Sequence, residues 1–218
     1  MFDLNRYKAI VFDCDGVILD SNRIKTNAFR NVARKYGDEP AEALVDYHVQ
    51  NGGVSRYRKF EYFISEILGR EINESELNHL TNEFAEYVTQ ELLKCPVTGE
   101  LERLREKTIG SKWFIVSGGD QEELRRVFNE RGLLKLFDGG VYGSPKNKDE
   151  ILAAMLKNGS LKKPALFLGD SHYDHKAAKH AGLDFVFVYR WSEFSTWKEY
   201  CNKNGIHTID SVNSVNTI

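Results

Sequence analysis

The sequence predicts an α/β protein: a doubly wound parallel sheet with an α-helical segment inserted after the first strand. Three observations predict it. Apolar runs too short for helices recur at Ala9–Phe12, Trp113–Val116, Pro164–Leu168 and Phe185–Val188, and such runs read as buried strands of a parallel sheet. Helical patterns separate the later runs, and alternating strands and helices imply right-handed crossovers. From about Ser21 to Lys94 the pattern is helical, with no convincing strand.

Each element has its own signal. Ala9-Ile-Val-Phe12 ends on two carboxylates, Asp13 and Asp15, with Gly16 behind them. In the inserted segment, Ile24–Tyr36 and Tyr57–Leu68 place apolar residues three and four apart, as amphipathic helices do. Gly37 and Gly69 read as helix stops, and Pro40 suits the first turn of the next helix. A helix opens at Ser75, with Leu77, Leu80, Phe84 and Val88 on one face. The segment thus holds roughly four helices, and Cys95–Gly99 closes it as a linker. Trp113–Val116 runs into Ser117-Gly-Gly, and Asp120 caps a helix reaching about Arg131. Gly140–Tyr142 is a short strand and Asp149–Leu156 a helix. Pro164–Leu168 runs into Gly169-Asp-Ser171, then a helix with Lys176-Ala-Ala-Lys179, then Phe185–Val188. Trp191 and Trp197 are placed to cover that last strand. The expected domains are a core of residues 1–19 and 99–218 and a helical cap of residues 20–98.

The chain has 218 residues, 41% hydrophobic and 28% charged, enough for one core of ordinary size. A net charge of −2 offers no electrostatic footprint for nucleic acid. No run resembles a signal peptide or is long enough to span a membrane. Cys14, Cys95 and Cys201 are odd in number and widely spaced, which suits a reducing compartment, so a cytoplasmic location is expected. Strand alternation points Cys14 away from both neighbouring aspartates, as a packing residue. A monomer or a homodimer is expected.

The polar residues behind the strands carry the chemistry. Strand carboxyl ends line one edge of such a sheet, where ligands bind. Like charges such as Asp13 and Asp15 repel unless a cation or a shared proton compensates them. A hard divalent ion such as Mg2+ suits oxygen ligands of this kind. An EF-hand is excluded, because the positions requiring Gly and Glu hold Ile18 and Ile24. Asp170 and Asp174 lie one helical turn apart and can face one cation. Ser117 precedes a glycine pair at an expected helix N-terminus, which favours an anion such as phosphate. Lys146 heads another helix and adds positive charge. Acidic groups with a cation, beside an N–H cup and a lysine, make a phosphoryl-transfer site.

Together, Asp13-Cys-Asp-Gly-Val, Ser117, Lys146 and Gly169-Asp-Ser-His-Tyr-Asp174 resemble the haloacid dehalogenase-like hydrolase superfamily. A helical cap after the first strand resembles its phosphatase and β-phosphoglucomutase branch. The resemblance implies that Asp13 is the nucleophile and that Asp15 is general acid and then base. It implies Mg2+ held by the Asp13 side chain, the Asp15 backbone carbonyl and Asp170, with Asp174 behind them. Ser117, the Gly118 amide and Lys146 would hold the phosphate. Asp15 speaks for phosphate chemistry, since the family's dehalogenases and phosphonate hydrolases lack it. The family's lysine usually precedes proline, whereas here Pro145 precedes Lys146, so Lys148 competes for that role.

Arg56, in Gly52-Gly-Val-Ser-Arg56, is similar to the arginine with which related mutases grip a non-reacting phosphate; a solvated helix-start arginine is the other reading. Lys25 stands where the mutases carry a histidine. A substrate contact is one reading for it, and a solvated helix face is the ordinary expectation. His172, His175 and His180 lack the spacing of a zinc helix and are expected at the surface or behind the site. The sequence therefore predicts a Mg2+-dependent phosphatase acting on a small phosphorylated metabolite, a sugar phosphate for preference. A sugar phosphomutase and a non-catalytic phospho-acceptor or metabolite-binding module are the alternatives.

Overall fold

The computed structural model describes residues 4–217. Six strands form one sheet in the order β3-β2-β1-β4-β5-β6, and every neighbouring pair is parallel. They are β1 (Ala9–Phe12), β2 (Lys112–Asp120), β3 (Gly140–Ser144), β4 (Ala165–Gly169), β5 (Asp184–Val188) and β6 (His207–Ile209). On the central strand both faces are apolar, as strands covered on both sides require. Ile10 and Phe12 pack into one core with Trp113, Ile115, Leu166 and Leu168. Ala9 and Val11 pack into the other with Phe114, Val116 and Phe167.

Helix α6 (Gln121–Glu130) covers the first face, while α7 (Lys148–Lys157) and α8 (His172–Ala181) cover the second. Helices α1 (Asn22–Ala33), α2 (Asp38–Gln50), α3 (Arg56–Tyr62) and α4 (Glu74–Leu92) form the insert between β1 and β2. A π-helical turn, Phe63–Ile67, extends α3. Phe29, Phe60 and Phe84 pack against one another, tilted and edge-on, within the insert, in a cluster continuous with the core on one face of the sheet. The outgoing and returning chains are tied together, since Thr98 donates to the Ile18 carbonyl at 2.9 Å. Arg131 fixes the end of α4 by donating to the carbonyls of Leu92 and Cys95, both at 2.7 Å.

The structure differs from the expectation in several places. Helix α4 starts at Glu74, because Asn73 rather than Ser75 supplies the cap, accepting from the amides of Ser75 and Glu76. Helix α5 (Leu101–Lys107), helix α9 (Trp197–Asn204) and strand β6 carry signals too short to stand out. The edge strand is therefore β6, while Trp197 covers β5 as expected, stacking on Phe187 and on Tyr189 just beyond the strand. Strand β2 runs on to Asp120, with an irregularity in its pairing between Val116 and Asp120. Ser117 accordingly lies in the strand and not at the N-terminus of α6. No helix among the described residues is long and apolar enough to cross a membrane.

Candidate active site

Asp13 follows β1 directly, and its amide donates to the Leu168 carbonyl of β4 at 2.9 Å. That register sets it beside Asp170, which follows β4. Asp174 lies in the first turn of α8, where it forms a capping box with Ser171. Asp13, Asp170 and Asp174 are all buried, and each offers a carboxylate oxygen within 4.8 Å of the others. Gly16 makes the arrangement passable: its φ is +78°, and a Cβ there would fall 2.2 Å from the Asp170 carboxylate.

The lysine that reaches this cluster is Lys148, and Lys146 does not. Lys148 is 0% exposed, stands 2.9 Å from Asp13 Oδ1 and ion-pairs with Asp174. Lys146 is exposed on the loop leading into α7. The reason is local: Asn147 caps α7, so Lys148 is the first helical residue and is turned toward the sheet edge.

Charge dominates the site. Three carboxylates against one ammonium leave two negative charges in a dry place. Burial pushes Asp13 up to about 7, with Lys148 opposing and Asp174 and Asp15 adding to it. Burial and the charges of Asp13 and Asp174 push Asp170 up as well. Asp13 Oδ1 faces Lys148 but makes no hydrogen bond; Asn22 donates to Asp170 at 2.7 Å, and the Ser171 hydroxyl and amide donate to Asp174 at 2.5 and 3.1 Å. These are the marks of a donor set built for a hard divalent cation, and the residues fit one.

Asp15 is held apart from the trio. Lys25 lies 2.5 Å from its carboxylate and Ser21 Oγ 2.6 Å. Burial alone would raise its pKa, but the Lys25 charge and the hydrogen bonds from Lys25 and Ser21 hold it below the ordinary carboxylate range. Lys25 is 8% exposed, so the expected solvated helix face is corrected: its ammonium points inward onto Asp15. Ser21, Asn22 and Lys25 open α1 on one face, which brings all three to the acidic loop. Ser21 and Asn22 carry no motif of their own in the sequence, although a helix beginning directly behind the acidic motif must aim its first turn at it.

Ser117 is buried with Oγ 3.4 Å from Asp15 and 3.0 Å from the Gly119 amide, and Gly118 lines the same cleft. A Cβ on Gly118 would sit 2.1 Å from the Gly53 carbonyl, so glycine lets the insert's loop close over this strand end. Arg56, 7% exposed, is neither solvated nor free: it pairs with Glu123 of α6 at 3.0 Å and packs on Phe84. The cleft between insert and sheet has roughly 180 Å³ of open volume. His175 pairs with Tyr200, against which His172 packs edge-on, and His180 pairs with Asp149; among the described residues the three histidines form no group of metal-ligating atoms. Cys14 is a buried core residue whose thiol is pushed well up by burial.

A second basic group, missed in the sequence, lies in the insert. Lys59 is 2% exposed, and its Nζ stands 2.7 Å from Nδ1 of His48. Burial, then the charge of Lys25, lowers Lys59 to about 7. Burial and the lysines push His48 well below its usual value, so it stays neutral. A lysine lowered in the folded state costs stability fully below its folded pKa, and the cost is relieved as pH rises toward the unfolded value. Lys59→Met is therefore expected to raise Tm by a few degrees at pH 6 and by less at pH 9.5, as measured by calorimetry.

Residues 10–188 match the family model for haloacid dehalogenase-like hydrolases. The chain belongs to that family of hydrolases. It is 29% identical over 196 residues to "Putative pyrophosphatase PpaX" of Caldanaerobacter subterraneus subsp. tengcongensis, covering 84% of this chain and 82% of that one. It is 28% identical over 187 residues to a phosphorylated carbohydrates phosphatase of Thermotoga maritima, covering 83% and 84%. Its fold superposes on β-phosphoglucomutase of Clostridium difficile with a TM-score of 0.71 at 22% identity, covering 95% and 92%.

Proposed function

We propose that this chain is a Mg2+-dependent phosphatase that hydrolyses a small phosphate monoester through an aspartyl-phosphate on Asp13. The observation that carries the reading is the buried trio of Asp13, Asp170 and Asp174 with Lys148, of which Asp13 and Asp170 line a cleft that the helical insert roofs. Phosphatase names among its relatives support it, and the carbohydrate phosphatase of Thermotoga maritima favours a phosphorylated carbohydrate as substrate.

In this reading Asp13, Asp170 and the Asp15 carbonyl would hold Mg2+, with Asp174, itself held by Ser171 and Lys148, behind them. The ion supplies positive charge against the phosphate oxygens when bound. Lys148, Ser117 and the Gly118 amide hold the phosphate. An Asp13 oxygen attacks phosphorus, the ester P–O bond breaks, and the departing oxygen takes its proton from Asp15. Water then attacks the same phosphorus, gives its proton to Asp15, and releases phosphate as Asp13 is restored. Lys25 keeps Asp15 as the carboxylate that the second step needs. The phosphate dianion, arriving beside Lys25, competes for that ammonium and lets Asp15 take up the proton the first step needs. The insert is the cap that excludes bulk water.

Lys25→Met is expected to lower kcat by about 10²-fold, the scale of impaired proton transfer, with a smaller change in KM. Steady-state kinetics on the best substrate check it. The function itself is tested on a panel of sugar phosphates, with phosphate release and isomer formation both measured. Release of phosphate from some of them supports the reading. Conversion of hexose 1-phosphate to hexose 6-phosphate without release would replace it with a mutase.

A further inference from the structure

Sorting the cations of the cleft by partner leaves one of the buried ones unmatched. Lys148 faces Asp13 and Asp174, Lys25 faces Asp15, and Arg56 faces Glu123. Lys59 has no carboxylate at ion-pair distance among the described residues. Its contacts are Nδ1 of neutral His48, the His48 carbonyl at 3.5 Å and the Phe29 ring at 5.5 Å. A lysine buried without an anion is costly, and proteins rarely keep one without a use. Both residues line the same cleft as the aspartates, and Lys59 is near enough to feel the charges of Lys25, Asp15 and Lys148. With Nδ1 accepting from Lys59, the His48 proton sits on Nε2, a second donor beside the ammonium. Glu193, which also lines the cleft, is held by Thr26 Oγ1 at 2.6 Å and acts on Lys59 less than Lys25 or Asp15 does.

We propose that Lys59 and His48 form a second anion subsite in the roof of the cleft, and that the substrate's leaving group carries a carboxylate or a second phosphate that binds there. The proposal rests on the phosphatase reading and narrows its substrate class to doubly anionic metabolites. Arg56 lines the same cleft but already faces Glu123 of α6, whereas Lys59 faces no carboxylate among the described residues.

The test compares kcat/KM, with Mg2+, for p-nitrophenyl phosphate, phosphoglycolate and a sugar bisphosphate. At least one of the two doubly anionic esters is expected to exceed the neutral-leaving-group ester by about tenfold or more, the equivalent of one charge-assisted contact. Which one does so separates a carboxylate from a phosphate. In Lys59→Met that ratio is expected to fall to near unity, whatever happens to the absolute rates. A wild type that treats all three alike, or a ratio unchanged in the variant, would overturn the proposal. Should the variant not be recovered folded, the wild-type ranking alone decides. Absence of release from every ester, p-nitrophenyl phosphate included, would instead sink the phosphatase reading beneath it.

Discussion

Asp13→Asn is expected to abolish turnover, lowering kcat by about 10⁴-fold or more, because the amide removes the attacking oxygen's charge. The fold is expected to survive, and Tm to hold or rise. Asp13 is one of three carboxylates crowded against a single ammonium, and its loss relieves a repulsion that already pushes it up to about 7. Lys148 keeps Asp174 as a partner in the variant. Rapid-quench phosphate assays and a melting curve check both halves. Activity within tenfold of wild type would remove Asp13 as the nucleophile.

The second large effect separates two lysines that lie two positions apart. Lys148→Met is expected to lower kcat/KM by about 10²- to 10³-fold, the scale of losing a fixed charge at the reacting phosphate. It also leaves Asp13 and Asp174 without their counter-charge, so the variant is expected to be less stable by about 3–5 kcal/mol, the usual result of orphaning a buried charge. Added Mg2+ is expected to restore much of that stability, a readout independent of rate. Lys146→Met, on an exposed loop, is expected to stay within about twofold of wild type in both respects. The pair of variants is read by steady-state kinetics and by melting with and without the metal.

Much of this site is legible in the chain because strand ends are. Ala9–Phe12 and Pro164–Leu168 announce buried strands, and a parallel sheet must bring the residues behind them to one edge. Asp13 and Asp170 could therefore be paired from opposite ends of the sequence. Asp174 follows from helical spacing. Lys148 is harder: residues 146 and 148 both precede a helix, and only the position of the Asn147 cap decides which one turns inward. Lys25 and Arg56 show a different limit. A charged residue on an amphipathic helix is solvated unless another element covers it, and what covers these two is an acidic loop and a helix distant in sequence. Lys59 and His48 lie in helices whose apolar stripe reads as ordinary packing, so nothing local marks them as a buried basic pair. Helix α5, helix α9 and strand β6 are too short for periodicity to rise above their neighbours. Ser117 shows that a strand can run past its last apolar residue when glycines follow.

In the proposed reaction, buried carboxylates and a divalent cation together cleave a phosphate ester, and the carboxylates do not act alone. The most direct measurement is phosphate release from p-nitrophenyl phosphate by the intact protein, first in chelator and then with Mg2+ restored. Release that falls to background in chelator and returns with Mg2+ is the expected result. Undiminished release in chelator would contradict it, because Asp13, Asp170 and Asp174 would then be working against their own repulsion and that of the phosphate.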